Sequence, residues 1–295
     1  MKIYTINAGY FKLDGGAMFG VVPKSIWNKL NPADNNNMCS WALRCMLIED
    51  EGKLILIDTG MGDKQDAKFF SHYYMFGDDT LDKSLAKYGF TKDDITDVIL
   101  THLHFDHCGG AIIKDDNNLV TAFKNATYWS NERHWLWATK PNEREKASFL
   151  KENILPIKES GQLAFVPVAK NKNWRVDGEA LMLLNIPSGL INNLSYKLVS
   201  GHTDAMLLPQ INYKGNTIVF MADLLPSTAH IPLPFIMGYD MSPLITLQEK
   251  KSFLQEAVTN NYILFFEHDP VNECCTLQMT DKGIRVKETF RLDEI

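Results

Sequence analysis

The sequence predicts an α/β protein whose chemistry is gathered where its strands end, and three observations carry that expectation. Short apolar, β-branched runs alternate with segments of helical spacing. One such run, Asp97-Val98-Ile99-Leu100, opens into Thr101-His102-Leu103-His104-Phe105-Asp106-His107-Cys108-Gly109-Gly110, which holds three of the chain's 8 histidines. Three further residues able to bind a metal, His202, Asp223 and His268, each follow another strand-like run. A lone histidine after a strand is usually an ordinary loop residue. Recurrence at one structural place implies that one rim of a sheet sandwich gathers them, as strand ends do in open α/β sheets.

In order along the chain, residues 2–8 alternate like a first strand and contain no apolar signal-peptide core. Residues 13–37 are rich in Gly, Pro and Asn, with Met18, Phe19, Val21, Val22 and Trp27 among them, and read as an ordered loop that contacts substrate or packs on the surface. Residues 44–48 and 54–57 form two strands joined by the hairpin signal Glu49-Asp50-Glu51-Gly52. The second strand ends at Asp58-Thr59-Gly60, which places a carboxylate where it can accept an imidazole N–H from behind a ligand. Residues 80–88 read as an amphipathic helix with Leu81, Leu85 and Tyr88 on one face, and Thr91-Lys92-Asp93-Asp94 as a helix start. After the histidine-rich turn come a strand at 126–129 and helices at 131–139 and 144–153. His134, beside Trp135 and Trp137, reads as packing and not as a ligand. Strands at 182–186, 196–199, 206–211 and 217–220 follow in hairpin-like succession, then a helix at 245–258 and a buried strand at 262–266 ending in Glu267-His268-Asp269. Gly109-Gly110 are expected to close the histidine turn through positive φ.

Composition bounds the function. The chain has 295 residues, 45% hydrophobic and 22% charged, an ordinary balance with ample core, and no linker or internal repeat divides it, so 1–295 is expected to be one domain. A net charge of −6 without any Lys/Arg run argues against a nucleic-acid partner. No apolar run approaches the roughly 18 residues of a membrane span. The cysteines, Cys39, Cys45, Cys108, Cys274 and Cys275, are odd in number and include an adjacent pair, which fits reduced thiols in a cytoplasmic protein. Cys108 reads as a small buried residue beside the ligands.

Imidazole nitrogens and carboxylate oxygens suit zinc, and the same set accepts iron or manganese. His102, His104, Asp106, His107, His202, Asp223 and His268 are too many ligands for one tetrahedral ion, so two are expected. His102, His104 and His202 would hold one, and Asp106, His107 and His268 the other. Asp223, with two oxygens, would bridge.

The joint pattern closely resembles the metallo-β-lactamase superfamily: His-x-His-x-Asp-His at 102–107, Gly-His-Thr at 201–203, Asp223, His268 and the Asp58-Thr59-Gly60 turn. That resemblance implies a four-layer αβ/βα sandwich with a binuclear metal site on one edge. Within the superfamily, His102-Leu103-His104-Phe105-Asp106-His107 and Phe266-Glu267-His268-Asp269 look most like the acyl-homoserine-lactone lactonases and their organophosphate-hydrolase relatives, whose second segment reads Phe-Gly-His-Asp. The tyrosine such lactonases carry three positions after the bridging aspartate is Pro226 here, and their Pro-Gly after Gly-His-Thr is Asp204-Ala205. Residues 224–240, with His230, Phe235, Met237 and Tyr239, are the stretch expected to line the pocket, Tyr239 replacing the missing hydroxyl.

The expected reaction is metal-assisted hydrolysis of a small lactone or other ester-like substrate by a bridging hydroxide, with Asp106 passing the proton to the leaving alkoxide and Asp58 orienting an imidazole. The alternatives are a mononuclear iron-dependent dioxygenase on the same fold and a phosphotriester hydrolase. A diiron oxygen-reducing enzyme would carry glutamate at His104. Oligomeric state is open, a homodimer being allowed.

Overall fold

A computed structural model describes residues 1–168 and 185–295. Among those residues the first half of the chain builds β1 (Lys2–Asp14), β2 (Met38–Asp50), β3 (Lys53–Ile57), β4 (Asp97–Ile99), a separate ribbon of β5 (Ile112–Asp115) and β6 (Asn118–Thr121), then β7 (Thr127–Ser130) and β8 (Leu163–Phe165). The second half adds β9 (Ile186–Pro187), β10 (Leu194–Val199), β11 (Met206–Tyr213), β12 (Asn216–Phe220), β13 (Ile263–Phe265), β14 (Cys274–Thr280) and β15 (Gly283–Phe290). The helices are α1 (Gly15–Phe19), α2 (Lys24–Trp27), α3 (Ala67–Tyr73), α4 (Leu81–Lys87), α5 (Phe105–Cys108), α6 (Glu132–Thr139), α7 (Lys151–Glu159) and α8 (Pro243–Thr259).

Two sheets result, ordered β1-β2-β3-β4-β7-β8 and β15-β14-β13-β12-β11-β10-β9. Met46, Ile48, Ile55, Ile57 and Ile99 of the first pack against Leu198, Leu208, Ile218 and Phe265 of the second, and Phe253, Leu254 and Ala257 of α8 join the same core. The opposite face of the first sheet, with Leu47, Leu56 and Val98, buries Leu81 and Leu85 of α4, Trp135 of α6 and Ile154 of α7. Helix, sheet, sheet, helix: these are the four layers of the expected sandwich.

Local chemistry explains where elements stop. The β2–β3 turn puts Glu51 at φ 50 and Gly52 at φ 75, the doubly left-handed turn that suits tight hairpins. Thr80 caps α4 by accepting from the Lys83 amide, and Asp94 closes a capping box with Thr91. Three of the differences from expectation have a plain local cause. Gly9, at φ 121, makes a bulge between Asn7 and Tyr10 instead of ending β1, so the strand runs on to Asp14. Residues 13–37, expected as loop, contain the short helices α1 and α2, with Phe19 stacked on Trp27. The helix expected at 144–153 begins only at Lys151, because the Asn142 side chain captures the amides of Arg144 and Glu145 in a turn. The strand expected at 182–186 lies mostly outside the described residues. All five cysteines are buried and unpaired, and the Cys108 thiol donates to the Leu103 carbonyl.

Helix α8 organises the site-bearing loops from below. Its buried residues Thr246, Glu249, Lys250, Phe253, Leu254 and Ala257 follow helical spacing, yet two are ionisable. Glu249 accepts from the amides of Ser200 and Gly201, at 2.6 and 3.0 Å, and so grips the turn before His202. Lys250 donates to the carbonyls of Pro232 and Phe235, at 2.7 and 2.9 Å, and holds the loop that follows Asp223.

His230 ties that loop to α1. Its ring stacks on Phe19 at 4.7 Å, one nitrogen meets the Met18 carbonyl at 2.9 Å, and the other meets Ser227 Oγ at 2.8 Å. Burial holds the ring neutral by pushing its pKa down from 6.5 to about 3. The unfolded chain therefore takes up this proton first as pH falls. The neutral ring's contribution is complete above about pH 6.5 and is lost from there down to pH 3, at about 1.4 kcal/mol per pH unit. Melting temperature measured from pH 7 to 4 is expected to fall less steeply in His230→Gln than in the wild type. Parallel slopes would refute this linkage.

Candidate metal centre

Four loops leaving the C-terminal ends of strands converge on one rim. The turn after β4 brings His102, His104, Asp106 and His107, the loop after β10 brings His202, the end of β12 leads to Asp223, and the end of β13 leads to His268. All seven side chains are buried or nearly so. One donor atom each from His102, His104, His202 and Asp223 lies within 4.8 Å of the others, and Asp106, His107 and His268 form a second such group.

Within the first group, His102 Nε2 is 3.1 Å from His104 Nδ1, which is 3.2 Å from His202 Nε2. Within the second, His107 Nε2 is 3.2 Å from His268 Nε2, and Asp106 Oδ2 stands 3.9 and 3.8 Å from those two nitrogens. Asp223 lies between the groups. Its Oδ2 is 3.0 Å from His202 Nε2 and 3.4 Å from His107 Nε2, while its Oδ1 is 3.3 Å from His268 Nε2. Tetrahedral coordination at the usual bond length of about 2.0–2.1 Å separates donors by roughly 3.3 Å, so this spacing fits zinc-sized ions.

The outward ring nitrogens decide what the inward ones can do. His107 Nδ1 donates to Asp58 Oδ2 at 3.1 Å, His104 Nε2 to Glu145 Oε1 at 3.0 Å, His202 Nδ1 to Asp240 Oδ1 at 2.9 Å and His268 Nδ1 to the Ala42 carbonyl at 2.8 Å. His102 Nδ1 faces Thr101 Oγ1 at 3.1 Å, and that hydroxyl donates its own hydrogen to Asp58 at 2.6 Å. Each imidazole thus commits its hydrogen outward and aims a lone pair inward. Lone pairs then face each other and a carboxylate whose Oδ1 is buried with no hydrogen-bond donor. Acceptor facing acceptor is unfavourable unless cations stand between them, so the donor set fits bound metal.

Burial would raise the Asp223 pKa, but the His202, His107 and His268 rings, whose own pKa values rise against burial beside the site's carboxylates, outweigh it and hold Asp223 well below its ordinary range. The carboxylate thus calls for positive charge that ring protons or bound metal would supply. At Glu145, likewise, burial is outweighed by hydrogen bonds, that from His104 first and that from Trp137 among the others, which bring it to about 2. The backbone is strained at two of these positions. Asp58 sits at φ 56, and Ala222, next to Asp223, at φ 40.

Asp58, expected behind an imidazole, stands behind His107. His134 is no ligand, but it does more than pack: its Nε2 accepts from the Leu103 amide at 2.9 Å while its Nδ1 donates to the Asp204 carbonyl at 2.6 Å, pinning the histidine turn to the loop of His202. The change to Asp204-Ala205 reaches beyond a turn, since Asp204 also pairs with Arg133 and Ala205 is held at φ 60. The carboxylates Glu145 and Asp240 had no sequence signal. They come from irregular segments that only the fold brings to the rim.

A cavity of about 360 Å³ opens over the site and is lined by five of the seven donors, His104, Asp106, His202, Asp223 and His268. Met18, Tyr73, Phe105, Met237, Tyr239 and Met241 form its apolar walls, with Arg144 among the polar lining. Tyr239 therefore lines the pocket, as does Tyr73, which carried no sequence signal. His230, Phe235 and Phe19 do not: they pack beneath the wall, where Phe19 meets both other rings. Among the described residues the hydroxyls of Tyr73 and Tyr239 have no hydrogen-bond partner, which leaves them available to a bound molecule.

A family model described as the metallo-beta-lactamase superfamily matches residues 44–268, from the middle of β2 to the last histidine. The chain belongs to the metallo-beta-lactamase superfamily. The superfamily match takes in all seven donors. An N-acyl homoserine lactonase of Bacillus thuringiensis is 32% identical over 119 residues, 37% of this chain. A Bacillus cereus N-acyl homoserine lactonase is 30% identical over the same length. The chain spans 43% of the length of these curated relatives. Among solved structures, a probable metal-dependent hydrolase from Staphylococcus aureus superposes with a TM-score of 0.84 at 26% identity, covering 98% of this chain and 96% of its own. A dizinc quorum-quenching lactonase superposes with a TM-score of 0.75 at 22% identity over 98% and 95% of the two chains, a likeness of fold. No helix among the described residues is long and apolar enough to cross a membrane.

Proposed function

We propose that the chain, acting as one unit, is a binuclear zinc hydrolase that opens a lactone or cleaves a similar ester bond in a small apolar molecule. The observation that supports this most is the set of five inward lone pairs, on His102, His104, His107, His202 and His268, divided by the Asp223 carboxylate into two groups. Iron or manganese suits the same donors. A mononuclear iron dioxygenase needs one such group, and it leaves Asp106, His107 and His268 without a purpose.

Held by these donors, two such cations would bring the ionisation of water towards neutral pH and supply positive charge for a developing oxyanion. The chain's own groups do the rest. Asp58, Glu145 and Asp240 hold the imidazoles in the tautomers that coordinate. Asp106 stands at the cavity floor with an oxygen facing both ligand histidines of its group, where it can take a proton from water and deliver it to the departing alkoxide. Met18, Phe105 and Met237 exclude water and receive an acyl chain, while Tyr239 offers its hydroxyl to the carbonyl or the leaving oxygen.

Elemental analysis and a panel of N-acyl homoserine lactones, aryl esters and an aryl phosphotriester test the proposal. Two metal equivalents and lactone turnover that improves with acyl length are expected. In Tyr239→Phe, kcat should fall about tenfold with metal content unchanged. Turnover of the phosphotriester alone overturns the substrate assignment, and one iron per chain with oxygen uptake overturns the hydrolase.

A further inference from the structure

The geometry assigns Glu267 a role that the reaction above leaves unfilled. Its carboxylate is fully buried, and Oε2 lies 3.0 Å from His107 Nδ1. Asp58 Oδ2 lies 3.1 Å from the same nitrogen. One outward hydrogen thus faces two buried carboxylates. Asp58 has other donors, the Thr101 amide and hydroxyl, at 2.8 and 2.6 Å. Glu267 has none: among the described residues neither of its oxygens receives a hydrogen bond apart from this contact with His107. The adjacent Arg44 does not neutralise it, because Nη1 donates to the Phe266 carbonyl at 2.6 Å and the Arg44 amide to the Glu267 carbonyl at 3.1 Å.

A buried carboxylate with a single shared donor is costly to ionise unless positive charge stands close by. The far side of the His107 ring is where that charge would stand, since Nε2 faces Asp106, Asp223 and His268. We propose that Glu267 is a positioning residue for the second cation: with Asp58 it holds His107 and strengthens binding of the ion carried by Asp106, His107 and His268. This rests on the two-ion reading above.

Metal-free protein titrated with Zn²⁺ against a chromophoric chelator resolves the two equivalents. In Glu267→Gln the tighter equivalent should match the wild type, and the other should weaken by about 10- to 100-fold, the usual effect of removing a carboxylate behind a ligand histidine. The metal-free variant should melt no lower than the metal-free wild type, because a buried carboxylate without donors of its own gives way to its neutral isostere. A purely structural role would lower that melting point and weaken both equivalents, which overturns the assignment. Two wild-type equivalents with both affinities unchanged in Glu267→Gln overturn this inference alone. A single wild-type equivalent overturns the two-ion reading as well. Should the glutamine variant fail to fold, Glu267→Ala gives the same comparison; failure of both makes Glu267 a folding element and overturns its assignment to the metal.

Discussion

His104→Ala and Asp223→Ala are each expected to abolish lactone or ester hydrolysis, by about 10³-fold or more. His104 is one of three imidazoles in its group, and Asp223 reaches both groups, with Oδ2 3.0 Å from His202 and Oδ1 3.3 Å from His268. Removing either would leave the facing lone pairs without a complete ligand set, so that a cation of the proposed centre would be held poorly or misplaced. A 10³-fold loss corresponds to about 4 kcal/mol of transition-state stabilisation, the scale of one strong electrostatic contact in a water-poor site. Metal retained after dialysis should fall in parallel: His104→Ala loses chiefly the first equivalent, whereas Asp223→Ala loses both. Either variant turning over at the wild-type rate with two ions bound would remove the basis of the proposed function.

Gly109→Ala should be the most damaging conservative change to the fold. A Cβ at Gly109 would stand 2.0 Å from the Met61 carbonyl oxygen and 2.6 Å from its carbon. Those are backbone atoms and cannot swing aside as a flexible side chain would. At Gly110 a Cβ would meet the Thr59 oxygen at 2.2 Å. Overpacking usually costs about 1–3 kcal/mol, and a main-chain collision belongs at or above the top of that range. The displaced strand end carries Asp58, whose partner is His107, so metal affinity should fall with stability. A Gly109→Ala variant melting within about 2 °C of the wild type would show that the two segments separate easily and that the close approach is incidental.

That glycine pair also shows how far the sequence could be read. The pair was expected to turn the chain through positive φ, but Gly109 is at φ −60 and the pair is needed because a second backbone lies against it. A local rule found the right residues and gave the wrong reason, since the neighbour at Met61 is 48 positions away in sequence and invisible to periodicity. The seven donors were legible because each follows a β-branched run whose end is easily recognised, and because imidazole and carboxylate leave few chemical alternatives. Asp58 was legible for the same reason. Glu145 and Asp240 were not: one sits in a turn that resembled the start of a helix, the other in a Pro-rich loop. Met237 and Tyr239 were correctly expected in the pocket wall. His230 and Phe235 were not separable from them, because all four are compatible with a pocket and only packing against Phe19 removes two.

The segment from Asn142 to Ser148 makes the cavity and the rim mutually dependent. Arg144, Ala147 and Ser148 face whatever enters, while Glu145 between them grips the outer nitrogen of His104 and also receives the Trp137 indole hydrogen. His104 alone turns Nδ1 inward, so its lever to this strip of chain is the far ring atom. A guest that steadies the strip would therefore tighten the binding of an ion behind it, and the ion would tighten the guest by an identical factor. Occupancy of one is a measure of tenure for the other.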